Sequence, residues 1–233
     1  MNPVRKHFLP LVTLCFVSLS TLGVLHHADA APSIFTSDVV YESDTPVFGL
    51  AVGDFNPSFE GDEVACLVNP CSVIELIPSD WHSTGIYSSD DAIMQMSNRP
   101  TIDIGNVMGG ETNEIVICCN NYVTVIYEAM EQYNAEQIYD KSDLIGSLWG
   151  ARVGDYDFQR PGEEVLVIFE TVFDYSIAEL VSETDFEWST EEIYGAEVGM
   201  DSAAGEFDPN HEGTEIVITT EMGDRKSTRL NSS

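Results

Sequence analysis

The chain repeats one short motif four times at nearly constant spacing, and this repetition limits what it can fold into. The motif is a Gly, then an acidic or amide residue, then an aromatic or aliphatic residue. Its copies are Gly53-Asp54-Phe55, Gly105-Asn106-Val107, Gly154-Asp155-Tyr156 and Gly205-Glu206-Phe207. The steps from Gly to Gly are 52, 49 and 51 residues. Such a period predicts a repeat architecture, in which each unit buries its apolar face against its neighbours.

Two further features recur in each unit. A Glu that opens an apolar run follows each motif, at Glu63, Glu114, Glu164 and Glu215. An aliphatic-Tyr pair falls between the motifs, at Val40-Tyr41, Ile86-Tyr87, Ile138-Tyr139 and Ile193-Tyr194. Three of these pairs have an aromatic residue six positions before the Tyr, namely Trp81, Tyr133 and Trp188. We expect these aromatics to pack between neighbouring units, with sugar stacking as the alternative.

The apolar runs within a unit are short, rich in Val, Ile, Tyr and Phe, and separated by turn residues, as in β-strands. In the first unit they cover residues 47–52, 63–68, 73–77 and 84–87. Four short strands in each unit are typical of a β-propeller blade. Two interpretations remain for residues 90–96 and 129–137: each is a helical turn, or each is a loop insertion between strands.

The Gly-Asp-Phe motif, the acidic loop after it and the following Glu-Val run resemble the FG-GAP/VCBS repeat of integrin-α-like β-propellers. The resemblance extends roughly from Tyr41 to Met222. It implies an all-β fold of radially arranged blades, with partner surfaces on the loops, and therefore a binding or adhesion scaffold. Three full units and half of a fourth are present, so we expect a partial propeller of about three and a half four-stranded blades, belonging to a longer protein.

The acidic loops after the motifs are candidate calcium sites. They offer oxygen ligands at alternate positions, as a hard cation requires, and the resemblance implies calcium loops of this kind. The candidate ligands are Asp54, Asn56 and Asp62 in the first loop, Asp155, Asp157 and Glu163 in the third, and Glu206, Asp208 and Asn210 in the fourth. The alternative is that Asp54, Asp155 and the repeated Glu accept backbone N–H bonds and cap turns. The repeated Glu also occurs in the second unit, where the other ligands are few, which favours a structural role for it.

The two ends of the chain differ from the repeats in composition. Residues 1–30 have a basic start, an uncharged stretch and the small-x-small sequence Ala28-Asp29-Ala30, which predicts a secretory signal peptide. A retained membrane anchor is the alternative. Residues 225–233 carry basic residues and no acidic ones, and we interpret them as a non-native tail, with a genuine basic tail as the alternative. Residues 31–224 are therefore the repeat domain of a secreted protein, extracellular or periplasmic.

Four cysteines remain after signal removal: Cys66, Cys71, Cys118 and Cys119. An even number in an oxidising compartment predicts disulfides or buried thiols. A local bridge between Cys66 and Cys71 is one possibility, because Asn69-Pro70 favours a turn between them. Cys118 and Cys119 point to opposite faces of a strand, so only one can reach a given partner. Metal binding is the alternative, although two spaced CxxC pairs are lacking.

The charge of the chain excludes several classes of partner. There are 9 Lys and Arg against 40 Asp and Glu, for a net charge of −31. The electrostatic field of so acidic a chain repels nucleic acid and anionic membranes. The remaining candidate partners are protein or glycan ligands, bound through the loops.

His82 and His211 are the only histidines after residue 30, and no hydrolase or phosphate-binding motif is present. We therefore expect a non-enzymatic protein. The alternative is the propeller portion of a secreted carbohydrate-active enzyme such as a polysaccharide lyase. Such an enzyme needs basic catalytic groups, which another part of the protein would have to supply.

Overall fold

The structure is a computed structural model that describes residues 39–69, 71–89, 100–141, 146–156, 162–171, 175–184, 187–197, 199–205, 215–220 and 227–228. The predicted signal peptide lies outside these residues, as does the predicted tail except for residues 227–228. Every regular element in the described part is a β-strand, so the all-β prediction is confirmed. These residues accordingly contain no helix long and apolar enough to cross a membrane.

Fifteen strands are described. In chain order they are β1 Val47–Gly53, β2 Glu63–Val68, β3 Ser72–Ile77, β4 His82–Ser88, β5 Thr101–Gly105, β6 Glu114–Cys119, β7 Tyr122–Ala129, β8 Gln132–Asp140, β9 Gly146–Gly154, β10 Glu164–Thr171, β11 Tyr175–Thr184, β12 Glu187–Glu197, β13 Gly199–Gly205, β14 Glu215–Thr220 and β15 Ser227–Thr228. The strands of the first unit match the predicted runs within a few residues. β8 begins at Gln132, so a helical turn over residues 129–137 is wrong; residues 90–96 lie outside the described part.

Each unit forms its own antiparallel sheet from consecutive strands. Sheet 1 has the order β1-β2-β3-β4, sheet 2 β5-β6-β7-β8 and sheet 3 β9-β10-β11-β12. Sheet 4 has the order β13-β14-β15, and its third strand contains two residues of the predicted tail. The fifty-residue repeat therefore corresponds to one sheet, as the sequence predicts.

The sheets stack face to face because their central strands are apolar on both faces. All six residues of β6 are buried. Ile115, Ile117 and Cys119 join the core shared with sheet 1, whereas Val116 and Cys118 join the core shared with sheet 3. Side chains alternate between the two faces of a strand, so a continuous apolar run serves two neighbours at once.

The same packing continues to the last described sheet. Leu166 of β10 and Leu180 of β11 lie in one core with Ile216 of β14. Each described sheet thus shares a core with the next sheet along the chain.

The first strands of neighbouring sheets lie side by side and run in the same direction. A Cβ atom added to Gly49 would lie 2.9 Å from Cγ2 of Ile102, and one added to Gly53 would lie 2.7 Å from Cγ2 of Ile104. β1 can approach β5 this closely because both positions lack a side chain.

β5 and β9 also run parallel to each other, and hydrogen bonds link them. The Ala151 amide donates to Thr101 Oγ1 at 3.0 Å. Two residues further along both strands, the Val153 amide donates to Asp103 Oδ2 at 3.0 Å. Because β1, β5 and β9 run in one direction, the loops that follow them lie at the same end of the stack.

Candidate functional site

The turn after each first strand is held by the repeated Glu. Glu63 Oε2 accepts the backbone N–H groups of Phe55 and Asn56, each at 3.2 Å. In sheet 2, Glu114 Oε2 accepts those of Val107 at 2.9 Å and Met108 at 3.1 Å. The donors sit in equivalent places, two and three residues after the motif Gly, so the carboxylate satisfies amides that the turn would otherwise bury unpaired.

Sheet 3 repeats the arrangement, with Glu164 Oε2 accepting the Tyr156 amide at 2.8 Å. Glu63, Glu114 and Glu164 are all buried. The predicted turn-capping role of the repeated Glu is therefore confirmed in three sheets. In sheet 4, Glu215 pairs with Gly205 across the two strands, as Glu63 pairs with Gly53.

Burial of the capping carboxylates changes their acidity. Loss of hydration raises the pKa of Glu63, and the hydrogen bonds from Asn56 and Phe55 lower it only in part. Burial likewise raises the pKa of Glu114 against the opposing hydrogen bonds from Met108 and Val107. Burial away from water disfavours the charged form of a carboxyl group, so these two groups resist deprotonation in the folded chain.

Asn56 belongs to a buried hydrogen-bond network that links sheet 1 to sheet 2. Its Nδ2 donates to Glu75 Oε1 at 2.6 Å, and its Oδ1 accepts the Ser58 amide at 3.0 Å. The Tyr133 hydroxyl of sheet 2 donates to the same Glu75 oxygen at 3.3 Å. Burial and the neighbouring Glu75 raise the pKa of the Tyr133 phenol, which keeps it a donor. The side chain of Asn56 is therefore occupied by structural contacts.

Glu163 also makes a contact between sheets. Its Oε2 accepts the Asn106 amide at 2.6 Å, while its own amide donates to the Asn106 carbonyl at 2.7 Å. This pair ties the loop after β5 to the loop before β10. The sequence suggested a calcium ligand at Glu163, but a bridge between two loops was not predicted.

The remaining predicted calcium ligands fall into two groups. Asp54, Asp62 and Asp155 have exposed carboxylates at the loop end of the stack. Asp157, Glu206, Asp208 and Asn210 lie outside the described residues. Among the residues that the structure describes, no three or more His, Cys, Asp or Glu side chains gather as a metal site. Of the predicted ligands that the structure describes, Asn56 and Glu163 make structural contacts, whereas Asp54, Asp62 and Asp155 are separate exposed carboxylates.

The cysteines form one bridge between sheets. Cys71, in the turn between β2 and β3, is bonded to Cys119 at the end of β6, 48 residues away. A local bridge between Cys66 and Cys71 is therefore wrong, because Cys71 faces sheet 2, not its own strand β2. Cys118 lies in the core on the other face of β6, so the predicted opposite orientation of Cys118 and Cys119 is confirmed.

Cys66 and Cys118 are buried free thiols. Burial raises the pKa of Cys66 to about 11 and that of Cys118 to about 12. Neither thiol has the lowered pKa of an activated nucleophile, and both pack as small apolar core residues.

Two of the three repeated aromatics pack between sheets, as predicted. Tyr133 packs on the core between sheets 1 and 2, and Trp188 packs on the core between sheets 2 and 3. The Trp188 indole Nε1 donates to Glu136 Oε1 of sheet 2 at 3.0 Å. Trp81 of sheet 1 is instead exposed.

A further contact between sheets 2 and 3 was not foreseen from the sequence. The Tyr139 hydroxyl donates to Glu179, and Lys141 Nζ lies 3.3 Å from Glu179 Oε1. Tyr139 belongs to the repeated aliphatic-Tyr pair, but the strand positions that correspond to Glu179 in sheets 1 and 2 carry Ile74 and Thr124, so the contact does not repeat.

The loop end of the stack presents several exposed acidic side chains. Asp54, Glu60 and Asp62 are exposed in the first loop, Glu111 in the second and Asp155 in the third. Because the loops lie at one end, these carboxylates form a common acidic surface, here called the acidic edge.

No protein-family model matches the sequence, and no curated protein matches it. The resemblance to FG-GAP/VCBS repeats therefore depends on the residues of the chain itself.

Proposed function

We propose that the chain is a segment of a secreted β-propeller that serves as a non-enzymatic binding or adhesion scaffold. The observation that carries this proposal is the repeated junction between sheets: a shared core, parallel first strands, and loops gathered at one end. A radial array of sheets has these junctions and presents its loops together on one face. Rigid strands that carry exposed loops are the usual arrangement for binding.

The acidic edge is the proposed binding surface, and a basic segment of a partner protein is the proposed ligand. Asp54, Glu60 and Asp62 are exposed and close in sequence, with Glu111 and Asp155 on the neighbouring loops. The net charge of −31 attracts cationic partners over a distance set by the salt concentration. The capping Glu residues would keep the loops in place without using the exposed carboxylates.

Calcium binding is a separate part of the proposal, and the described ligands fit it poorly. Asn56 is occupied by Glu75 and Ser58, and Glu163 by Asn106. Only Asp54, Asp62 and Asp155 offer exposed carboxylates among the described candidates. Thermal melts with calcium and with a chelator test this part. A higher Tm with calcium supports it, and an unchanged Tm removes calcium from the proposal.

The binding proposal is tested with a labelled oligo-lysine peptide as the probe. Asp54→Asn with Asp62→Asn removes two charges from the acidic edge, and Glu187→Gln with Glu191→Gln removes two from exposed positions on β12. We expect the loop variant to weaken binding several-fold more than the strand variant at physiological salt. Equal weakening would show general charge attraction and overturn the acidic edge as a site.

The same preparations distinguish a scaffold from the alternative, a carbohydrate-active enzyme. Incubation with an acidic polysaccharide should leave its chain length unchanged. Shortened products, absent from a heat-denatured control, would support the enzyme alternative instead.

A further inference from the structure

The aliphatic-Tyr pair in the fourth strand of each complete sheet packs into the core that this sheet shares with the next one. The pair of β4 packs on the core between sheets 1 and 2. The pair of β8 lies in the core between sheets 2 and 3, and the pair of β12 packs on the core between sheets 3 and 4. The pair therefore marks both the fourth strand of a sheet and the face that the sheet turns towards its successor.

The pair Val40-Tyr41 precedes β1 and belongs to none of the described strands. Tyr41 packs on a separate core, here called the rear core, whose buried members are Cys66, Val68 and Leu76. Cys66 stands in β2 between two residues that face sheet 2, and side chains alternate along a strand. The rear core therefore lies on the face of sheet 1 that points away from sheet 2.

The rear core consists of the counterparts of residues that sheet 2 contributes to its core with sheet 1. The correspondence follows from alignment on the repeated Glu and from the pairing of the second strand with the third. The corresponding positions are Cys66 and Ile117, Val68 and Cys119, and Leu76 and Ile126. Tyr41 thus packs on sheet 1 as Tyr87, the fourth-strand Tyr of the preceding sheet, packs on the core of sheet 2.

We propose that residues 39–42 are the fourth strand of a composite sheet on the rear face of sheet 1, and that the last repeat of the longer protein supplies its other three strands. Tyr41 precedes Gly53 by 12 residues, and the other three Tyr residues precede the next motif Gly by 11 to 18. Val39 is 77% exposed and Val40 38%, as expected for a strand whose own sheet is not formed. The inference rests on the propeller proposed above, but not on its binding role.

The residues before Val39 lack the features that would identify them as the other three strands. The motif Gly precedes the Tyr of its own sheet by 34 residues in sheets 1 and 2 and by 40 in sheet 3. At these distances the motif belonging to Tyr41 would fall within residues 1–7, which contain no Gly, and residues 1–38 contain no Glu. Sheets 1, 2 and 3 already have four strands each. The partner strands are therefore expected in a later repeat.

The composite sheet also accounts for the exposed apolar side chains of β1. Counted from the motif Gly, Leu50 and Val52 correspond to Ile102 and Ile104 of β5, which lie over the first strand of sheet 1. Leu50 is 46% exposed and Val52 64%. The first strand of the composite sheet would cover them as β1 covers β5, so one partner explains both the unpaired residues 39–42 and the open face beside them.

The complete reading frame provides the first test. Its last repeat should contain the motif Gly, the Glu that opens the second strand and an apolar third strand. It should lack an aliphatic-Tyr pair, because Val40-Tyr41 takes that place. A last repeat with its own pair, and therefore with all four strands, would overturn the proposal.

Hydrogen exchange in the complete protein provides the second test and measures the pairing directly. The amides of residues 39–42 should exchange at least about tenfold more slowly than in a free peptide of residues 36–45, because amides paired in a sheet exchange only when it opens. Equal rates in the protein and the peptide would contradict the composite sheet.

Substitution of Tyr41 tests its place in the composite sheet. In the complete protein, Tyr41→Ala should raise the exchange rates of residues 39–42 several-fold and leave those of β6 unchanged. Met130→Ala, at a site that is 98% exposed, is the control and should change neither. Equal effects of the two substitutions on residues 39–42 would contradict the role of Tyr41. Neither substitution alters the acidic edge, so binding of the oligo-lysine peptide tests the proposed function independently.

Discussion

Glu63 lies opposite Gly53 in the register of β1 and β2, and its carboxylate caps the turn that joins the two strands. The same pairing of motif Gly and repeated Glu occurs between Gly105 and Glu114 and between Gly154 and Glu164. The two most regular features of the sequence are thus one structural unit: the Gly ends the first strand, and the Glu begins the second while holding the loop between them.

Replacement of Glu63 by Ala should destabilise the fold, because the amides of Phe55 and Asn56 would then be buried without an acceptor. We expect a loss of about 1–3 kcal/mol in the free energy of unfolding, measured by urea denaturation. Glu63→Gln keeps an acceptor oxygen and should retain most of the stability. Glu60→Ala, at an exposed position of the same loop, is the matched control and should change little. A loss in Glu60→Ala as large as in Glu63→Ala would contradict the capping role.

The raised pKa values of Glu63 and Glu114 predict an unusual dependence of stability on pH. Each group has a higher pKa in the folded chain than the ordinary 4.5. The folded state therefore binds protons more tightly, and the free energy of unfolding falls as pH rises from about 4.5 through the raised values. Glu63→Gln with Glu114→Gln should flatten this slope in urea titrations at several pH values.

The control for the pH experiment removes the same number of charges from exposed positions. Glu60→Gln with Glu111→Gln lowers general repulsion equally but leaves the buried carboxylates in place. We expect this variant to keep the slope of the parent chain. If the control flattens the slope as much as the capping variant does, general repulsion and not burial is the cause.

The sequence was sufficient to predict the sheets, because their signal is local and repeated. Runs rich in β-branched residues, at a fixed distance from the motif Gly, predicted the strands of the first unit within a few residues. The repeated Glu is present as Glu114 in the second unit too, where the loop has few candidate ligands, and this indicated a structural role for the repeated Glu. Internal repetition acts here as an alignment of the chain with itself, which separates a shared structural residue from an incidental one.

The contacts between sheets were harder to predict, because they depend on which residues of different units face each other. Nothing near Glu163 in the sequence indicates that its carboxylate reaches Asn106, which is 57 residues away. The Cys71–Cys119 bridge has a separation close to one repeat, and that spacing was the available signal for a bond between units. The turn at Asn69-Pro70 suggested a local bridge instead, because turn chemistry does not show which face a side chain takes.

Loss of the Cys71–Cys119 bridge should weaken the junction of sheets 1 and 2. Cys71→Ser with Cys119→Ser should lower the free energy of unfolding by about 2–4 kcal/mol, as expected when a long loop loses its cross-link. Urea denaturation measures the loss, and a reducing agent should destabilise the parent chain but not the double variant. The thiol titre of the unreduced, denatured repeat domain should be two free groups out of four, Cys66 and Cys118. Four free thiols would contradict the bridge.

Gly105 tests the close approach of β5 to the next sheet. A Cβ there would clash with both Cγ1 of Val153 and Oε2 of Glu163, so Gly105→Ala must displace both side chains. Overpacking of this kind costs about 1–3 kcal/mol. Gly85→Ala is the control, since its nearest neighbour, Cδ1 of Ile74, would be 3.8 Å away in ordinary contact. Adding Val153→Ala to Gly105→Ala should recover part of the loss, and a double-mutant cycle measures this coupling. Strict additivity of the two substitutions would show that β5 and β9 do not touch at this point.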